Sequence, residues 1–270
     1  MDDTSGISGS ARSELSRLVG RGKRLVTVDD AVSALGTDRH DAAVRLNRWA
    51  RQGWLRRVRR GLYIPVPIDA EDPASWTEDP FVLADEVWAP CYMSGWTSAN
   101  HWGLTEQVFQ TTVVKTARRV RKSEQTLLDH RYLVAHVAPD KLGWGTKRVW
   151  RDDRAVLIAD PARTVADMFD APAIGGGIRH CAEVLDAFLD DGDEHELIEC
   201  VERLGNRAVF KRIGYVLSVT HPDRAELIEV CATQTSRGTS LLDPALPNSG
   251  RWSRRWGLRI NAQIESGGHS

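Results

Sequence analysis

Apolar positions between Thr37 and Ile64 fall into two periods. Ala42, Leu46 and Trp49 recur at i, i+4 and i+7, which is one stripe of an α-helix. At about 100° per residue, His40, Asn47, Arg48 and Arg51 fall opposite that stripe, with Arg39 and Arg45 flanking. Thr37 is placed as the N-cap, because its hydroxyl can accept from the free amides of the first turn. Gly53 stops the helix. Trp54–Val58, a turn at Arg59-Arg60-Gly61, and Leu62–Ile64 then read as two short strands around a glycine turn. Upstream, a helix start at Ser13–Val19 turns Leu15, Leu18 and Val19 inward. A second helix, Val28–Leu35, does so with Ala31, Val32 and Leu35. Asp29 and Asp30 occupy its first turn, where negative charge suits the helix dipole, and Gly36 makes the tight turn before Thr37.

Helix, helix, glycine turn, basic-faced helix and arginine-rich hairpin, within about 50 residues, predict a winged helix-turn-helix. In that reading the third helix sits in the DNA major groove and the hairpin wing grips the flanking backbone. The candidate DNA-binding residues are Thr37, Arg39, His40, Arg45, Asn47, Arg48 and Arg51 on and before the helix. Arg56, Arg57, Arg59 and Arg60 are the candidates on the wing. The competing reading is an amphipathic helix with a solvated charged face; the basic clustering together with the motif favours DNA.

Charge sharpens this picture. The 270-residue chain has a net charge of −1, but residues 1–68 carry 13 Arg/Lys against 7 Asp/Glu, and the remainder carries 23 against 30. A basic module is joined to an acidic one, and only the first should seek phosphate. Residues 65–80 hold four prolines and five acidic residues, so the boundary falls there. The expected organisation is a disordered leader (residues 1–11), the winged helix (12–66), a Pro/acidic linker (67–80), an α+β domain (81–264) and a tail (265–270). The polar, acidic start is not a signal peptide, and no apolar run approaches the roughly 20 residues that span a bilayer. Cys91, Cys181, Cys200 and Cys231 lack metal-type spacing and read as reduced, mostly buried thiols of a cytoplasmic protein.

The second domain begins with a helix near Pro80–Trp88 and a short strand at Cys91-Tyr92-Met93. Ser94 or Thr97 can cap the next helix, which Gly103 ends. Strand-like runs follow at Phe109–Lys115, Tyr132–Val137, Lys147–Trp150 and Ala155–Ala159, rich in β-branched and aromatic residues. Asp160-Pro161 starts a helix through Phe169. From Ile174 to Gln234 the chain reads as helical, with stripes at Cys181/Val184/Leu185/Phe188, Leu197/Val201/Leu204 and Phe210/Ile213/Leu217. The last region is loop-like and ends in a strand at Trp256–Asn261. The fold class is α+β: a winged helix, then a mixed α/β domain whose C-terminal half is helical.

Other motifs read as structural. Gly175-Gly176-Gly177 precedes a helix but lacks the P-loop Lys-Ser/Thr and the dinucleotide fingerprint, so it is an interhelix turn. His101, His130, His136, His180, His195 and His221 show no ligand spacing, and no metal or cofactor is expected. Asp190–Glu194 lacks the alternating ligands of a calcium loop and reads as a solvated turn. Arg163 and Asp167 are i and i+4 and can pair behind an Asp160 cap. No Ser/His/Asp grouping accompanies them, so the chain is not read as an enzyme. Arg251-Trp252-Ser253-Arg254-Arg255-Trp256 suits cation–π stacking onto the domain. Alternatively, Arg251, Arg254 and Arg255 form a second patch that contacts phosphate or RNA.

The winged helix followed by the run Gly95-Trp96-Thr97-Ser98-Ala99-Asn100-His101-Trp102-Gly103-Leu104-Thr105-Glu106-Gln107 resembles the AbiEi antitoxins of type IV toxin–antitoxin systems. So do Asp160-Pro161-Ala162-Arg163-Thr164 with Asp167, Leu242-Asp243-Pro244, and Trp256-Gly257-Leu258-Arg259-Ile260-Asn261. The likeness runs from about residue 12 to residue 262, though Ala162 stands where that family usually has an acidic residue. The resemblance implies a bacterial repressor of its own operon. It would be a monomer when free and bind promoter inverted repeats as two copies. Its second domain would support DNA binding and counteract a nucleotidyltransferase-like toxin, directly or indirectly. Two other classes stay open: a winged-helix regulator with a ligand-binding second domain and no toxin, and an enzyme acting on nucleic acid or on the toxin. A neighbouring nucleotidyltransferase gene would argue against the first, and turnover would identify the second.

Overall fold

The computed structural model describes residues 9–20, 24–67, 70, 72 and 76–264. Most of the expected leader, the tail and much of the linker therefore lie outside the described residues. The fold is mixed α+β. The chain divides into two compact units: residues up to Glu86 with Thr126–His130, and Val87–Gln125 with Arg131 onward.

In the first unit, helix α1 (Gly9–Val19) is followed by strand β1 (Val26–Thr27), α2 (Val28–Leu35), α3 (Arg39–Arg51), β2 (Leu55–Arg59) and β3 (Leu62–Pro65). α1 starts at Gly9, inside the stretch read as leader. α2 opens on a capping box: the Thr27 hydroxyl accepts from the Asp30 amide, and the Asp30 carboxylate accepts from the Thr27 amide at 2.8 Å. It closes on Gly36 with φ 63°, a left-handed conformation that suits glycine. The N-cap of α3 is Asp38, not Thr37; its carboxylate accepts from the Asp41 amide at 2.9 Å. Asp and Thr are both good caps, and the chain leaves Gly36 one residue later than the sequence pattern implied. Ala42, Leu46 and Trp49 are buried with Leu18, Val26, Ala31, Leu55 and Tyr63 in one core. β1 pairs with β3, making a three-stranded antiparallel sheet in the order β1-β3-β2. Two residues carry no readable period, so the sequence did not announce β1.

The division between units falls within helix α4 (Pro80–Trp88). After α4 the chain forms β4 (Cys91–Met93), α5 (Gly95–His101), β5 (Thr111–Thr116), β6 (Glu124–Leu127), β7 (His130–His136), β8 (Thr146–Arg151) and β9 (Arg154–Ala159), of which only the end of β6 and the first residue of β7 count with the first unit. The sheet of these strands has the order β6-β7-β5-β4-β9-β8, with β5/β7 and β4/β9 parallel and β4/β5 and β8/β9 antiparallel. β5 begins two residues later than the pattern suggested, because Phe109 stacks on Trp96 instead (centroids 4.7 Å, planes 14° apart). β6 has a polar sequence without alternation and was not foreseen. Helices α6 (Pro161–Asp170), α7 (Ile178–Asp191), α8 (Glu194–Leu204), α9 (Arg207–Thr220) and α10 (Ala225–Thr233) follow. The expected stripes of α7 and α9 are buried in one core with Val165, Phe169 and Trp256; Leu204 on α8 is only partly buried. The region read as a loop forms a small sheet of β10 (Ser240–Leu241), β11 (Arg251–Ser253) and β12 (Leu258–Ile260), so the closing strand is shorter than Trp256–Asn261.

Candidate nucleic-acid interface

On α3 the outward face is a stripe of His40, Val44, Asn47, Arg48 and Arg51, all exposed. Relative to Asn47 they lie within about 100° of one another, opposite Leu46 and Trp49. Arg48 and Arg51 make no ion pair or side-chain hydrogen bond to any described residue, so their guanidinium groups are held only by the helix. Val44 is 50% exposed in the middle of this polar stripe. The sequence carried that signal, an apolar residue out of phase with the buried stripe, but the charges around it drew the reading.

The other candidates on α3 are engaged within the unit. Asn47 accepts a hydrogen bond from the Tyr63 hydroxyl at 2.9 Å, which ties the helix to the hairpin. Arg45 pairs with Glu14 of α1 at 2.7 Å, and Arg39 pairs with Asp29 of α2 at an exposed site. The Thr37 hydroxyl donates to the Asp41 carboxylate at 3.5 Å, at the limit of hydrogen bonding.

The four hairpin arginines are not equivalent. Successive strand residues point to opposite faces. Arg57 lies opposite Tyr63, so it shares the sheet face that meets α3. Arg56 lies opposite the buried Ile64 on the other face, and its guanidinium is 3.7 Å from Asp129. Between Arg57 and Arg59 the register shifts, and Gly61, with φ 76°, turns the chain. This bulge leaves Arg59 and Arg60 exposed at the tip. Arg57, Arg59 and Arg60 have no described ion-pair partner. Arg48, Arg51, Arg57, Arg59 and Arg60 thus have no carboxylate partner among the described residues, whereas Arg39, Arg45 and Arg56 each face one.

The second unit shows what its sequence motifs do. Asp160 caps α6, its carboxylate accepting from the Arg163 amide at 2.8 Å. The Arg163 Nε donates to Asp167 at 2.8 Å, and Lys115 approaches the same oxygen at 2.9 Å. The Ser94 and Tyr92 hydroxyls donate to the other oxygen at 2.7 and 2.9 Å. Arg163 also lies over the Trp144 ring, 3.5 Å from its centroid. Arg163 and Asp167 are fully buried. Burial alone would raise the Asp167 carboxyl, but Lys115, Arg163 and the Ser94 hydroxyl outweigh it and hold the carboxyl below its ordinary value. Burial, with Asp167 close by, pushes the Tyr92 hydroxyl well above its usual range.

The neighbouring motifs also brace. The Trp96 and Trp102 indoles each donate to a backbone carbonyl at 2.6 Å, and Thr105 meets His180 at 2.8 Å. A side chain at Gly95 (φ 58°) would strike the Ile174 carbonyl. The Gly175–Gly177 turn leads into α7, whose first amide donates to Asp243 at 3.0 Å. A carboxylate occupies the place where a phosphate would dock. Asn261 fixes the chain around Asp243, accepting from its amide at 3.0 Å and donating to its carbonyl at 2.8 Å. A cleft of about 660 Å³ beside α6 and α8 is walled by Asp160, Asp191, Asp193, Glu196 and Glu199 against Lys147 and Arg203, which suits a cation better than a phosphate.

Among the described residues, no group of His, Cys, Asp and Glu is arranged to hold a metal ion, and no helix is long and apolar enough to cross a membrane. The four cysteines are buried, and burial pushes the Cys200 and Cys231 thiols up to about 12. In the C-terminal cluster, Arg255 lies over Trp256 at 5.2 Å and 3.6 Å from Glu229, whereas Arg251 and Arg254 are exposed.

Residues 13–66 match the family described as transcriptional regulator, AbiEi antitoxin. The resemblance read from the sequence is thus matched by the family model over residues 13–66, from within α1 to the end of the hairpin. The whole chain is similar in fold to the crystal structure of the RV2827C protein from Mycobacterium tuberculosis. The TM-score is 0.60 at 15% identity, over 93% of this chain and 92% of that one. No curated protein matches the sequence.

Proposed function

We propose that the first unit is a winged helix-turn-helix that places α3 in the major groove of duplex DNA. Arg57, Arg59 and Arg60 then lie along the flanking phosphates. The observation that carries this reading is the partner-free basic set on α3 and the wing. Five exposed arginines without a described carboxylate partner, on a module of net positive charge, are costly to concentrate unless polyanion binding offsets their repulsion. His40 and Arg48 reach base edges or phosphate from the outward stripe, and Val44 offers an apolar contact of the kind that thymine methyl groups take. Phosphate contacts set position, and the α3 stripe sets sequence.

The chain as a whole acts, in this reading, as a cytoplasmic antitoxin of a type IV pair. It represses its own operon by binding promoter inverted repeats, one copy on each half-site, and counteracts a nucleotidyltransferase-like toxin. The AbiEi-type domain at residues 13–66 supports the regulator part. The test is fluorescence anisotropy with the chain's own promoter and a scrambled duplex at one salt concentration. The combined variant His40→Ala, Arg48→Ala and Arg51→Ala should lose binding to the promoter. Unchanged promoter binding would sink the placement of α3. Coexpression with a neighbouring nucleotidyltransferase gene tests the antitoxin part, and continued growth arrest would refute it.

A further inference from the structure

The C-terminal sheet carries an exposed aromatic surface that neither the winged helix nor the bracing motifs use. β12 pairs with β11 antiparallel and with β10 parallel. The register sets Trp252 opposite Arg259 and Leu241 beside Arg259. Alternation then puts these three on one face, while Leu258 and Ile260 turn into the core. Trp256, 2% exposed, anchors the sheet against α9, where any side chain at Gly214 would strike its ring. Trp252 remains 41% exposed. The Arg259 guanidinium lies 6.0 Å from the Trp252 ring centroid, oriented by a hydrogen bond to the Gly250 carbonyl at 3.2 Å. Beside them is an open cavity of about 440 Å³ lined by Thr239, Ser240, Leu241, Asn248, Trp252 and Arg259.

The charge around this face is one-sided. Residues 244–264 contain four arginines and no Asp or Glu, in a part of the chain where acids otherwise exceed bases. Arg251 and Arg254 are exposed and have no ion pair among the described residues; Arg255 shares Glu229. An exposed indole beside a guanidinium, with amide and hydroxyl groups around it, offers a face on which an unpaired base can stack. The arginines along β11 and the turn after it follow a phosphate backbone. Bases inside a duplex are already stacked on each other and present no free face.

We infer that this sheet binds single-stranded nucleic acid, with one base on Trp252 beside Arg259 and the backbone passing Arg251 and Arg254. The site belongs to the second unit and the winged helix to the first, so either reading can fail without the other. The test uses the full chain with Arg57, Arg59 and Arg60 replaced by alanine, which removes the wing's own attraction for phosphate. The probes are labelled oligo(U) and oligo(dT) about 12 nucleotides long, within the reach of one small module, and a duplex of random sequence. Both single strands should bind saturably and more tightly than the duplex; the stronger of the two tells whether RNA or DNA is the natural source.

Trp252→Ala should weaken single-strand binding roughly five- to 150-fold, the range of one lost base–aromatic stack. Trp252→Phe should keep most of it. Arg251→Ala and Arg254→Ala should each reduce the log–log salt slope by about 0.7. The side chain of Trp252 is largely outside the core, so melting temperatures should be unchanged. If Trp252→Ala unfolds, the two arginine variants decide the matter. Unaltered single-strand binding in Trp252→Ala, an unaltered slope in the arginine variants, or equal affinity for the duplex would overturn the inference.

Discussion

Replacing Arg57, Arg59 and Arg60 together by alanine should remove three phosphate contacts without disturbing the fold. All three side chains are exposed and lack a described carboxylate partner, so nothing inside the protein is lost. Each neutralised phosphate contributes about 0.9 to the slope of log K against log salt on duplex DNA, which puts the expected loss near 2.7. The same triple variant should weaken promoter and scrambled duplexes by the same factor, because phosphate contacts carry no sequence information. Arg56→Ala is the internal control. It carries the same charge on the same hairpin, but its guanidinium faces Asp129 from the other side of the sheet. Its slope should match that of the unaltered chain. The assay is fluorescence anisotropy between about 50 and 200 mM salt, the range over which six to ten contacts are known to change affinity strongly. A triple variant with an unchanged slope, or an Arg56→Ala loss as large as a third of the triple loss, would refute the argument that strand alternation sorts these arginines.

The remaining expectations come from other parts of the molecule. Asp29→Asn should tighten promoter binding, because it frees Arg39 from its solvated ion pair and removes a negative charge near the interface; exposed pairs contribute only about 0–1 kcal/mol, so stability should hardly change in a denaturant melt. Arg39→Ala should weaken promoter binding more in the Asp29→Asn background than alone, and equal losses would contradict the Arg39–Asp29 pair. Val44→Ser should leave folding intact and lower promoter binding more than scrambled-duplex binding; equal losses on both would mean that Val44 reads no base. Asp167→Asn should destabilise the second unit by about 3–5 kcal/mol, since it leaves Arg163 and Lys115 buried without their carboxylate. The folded-state pKa of Asp167 lies below its ordinary 3.8, so its contribution is present above that pH and is lost as the pH falls through the folded value. Thermal melts of the unaltered chain should therefore drop more steeply below about pH 3.8 than those of Asp167→Asn, and parallel profiles would contradict the burial of a charged Asp167.

The sequence was most readable where one period ran long enough. α2 was bounded to the residue at Val28–Leu35, because first-turn aspartates and a left-handed glycine mark its two ends; the Thr27 capping box emerged only in the structure. The Ala42–Leu46–Trp49 stripe is buried for the same reason that it was visible, since one helix face must leave water. β1, β10 and β11, two or three residues of mixed polarity, show neither alternation nor the apolar run that marked β4, and became visible only through their partners. At the candidate interface only part of the charge pattern was readable. Charge type and spacing placed arginines on α3 and on the hairpin, but nothing in the chain order said that Arg39, Arg45 and Arg56 would each find a carboxylate. Those partners, Asp29, Glu14 and Asp129, come from α2, α1 and the turn after β6. Pairing across elements is a property of the fold, so a list of basic residues overstates the free ones.

The same division applies to the second unit, with the opposite result. The residues that stood out there as motifs, Asp160, Arg163, Asp167, Trp96, Trp102, Asp243 and Asn261, are committed to caps, buried pairs and carbonyls. Such residues are constrained because several partners must be met at once, and that constraint is what gives them a recognisable spacing. A buried carboxylate held by two cations and two hydroxyls cannot also bind a partner or transfer a proton to substrate without losing what keeps it ionised. Whatever the second unit recognises must therefore be met by side chains outside these motifs. On that ground the exposed face of Trp252 and Arg259 is a better place to look than the buried Arg163–Asp167 pair, and substitutions at the two places should separate recognition from stability.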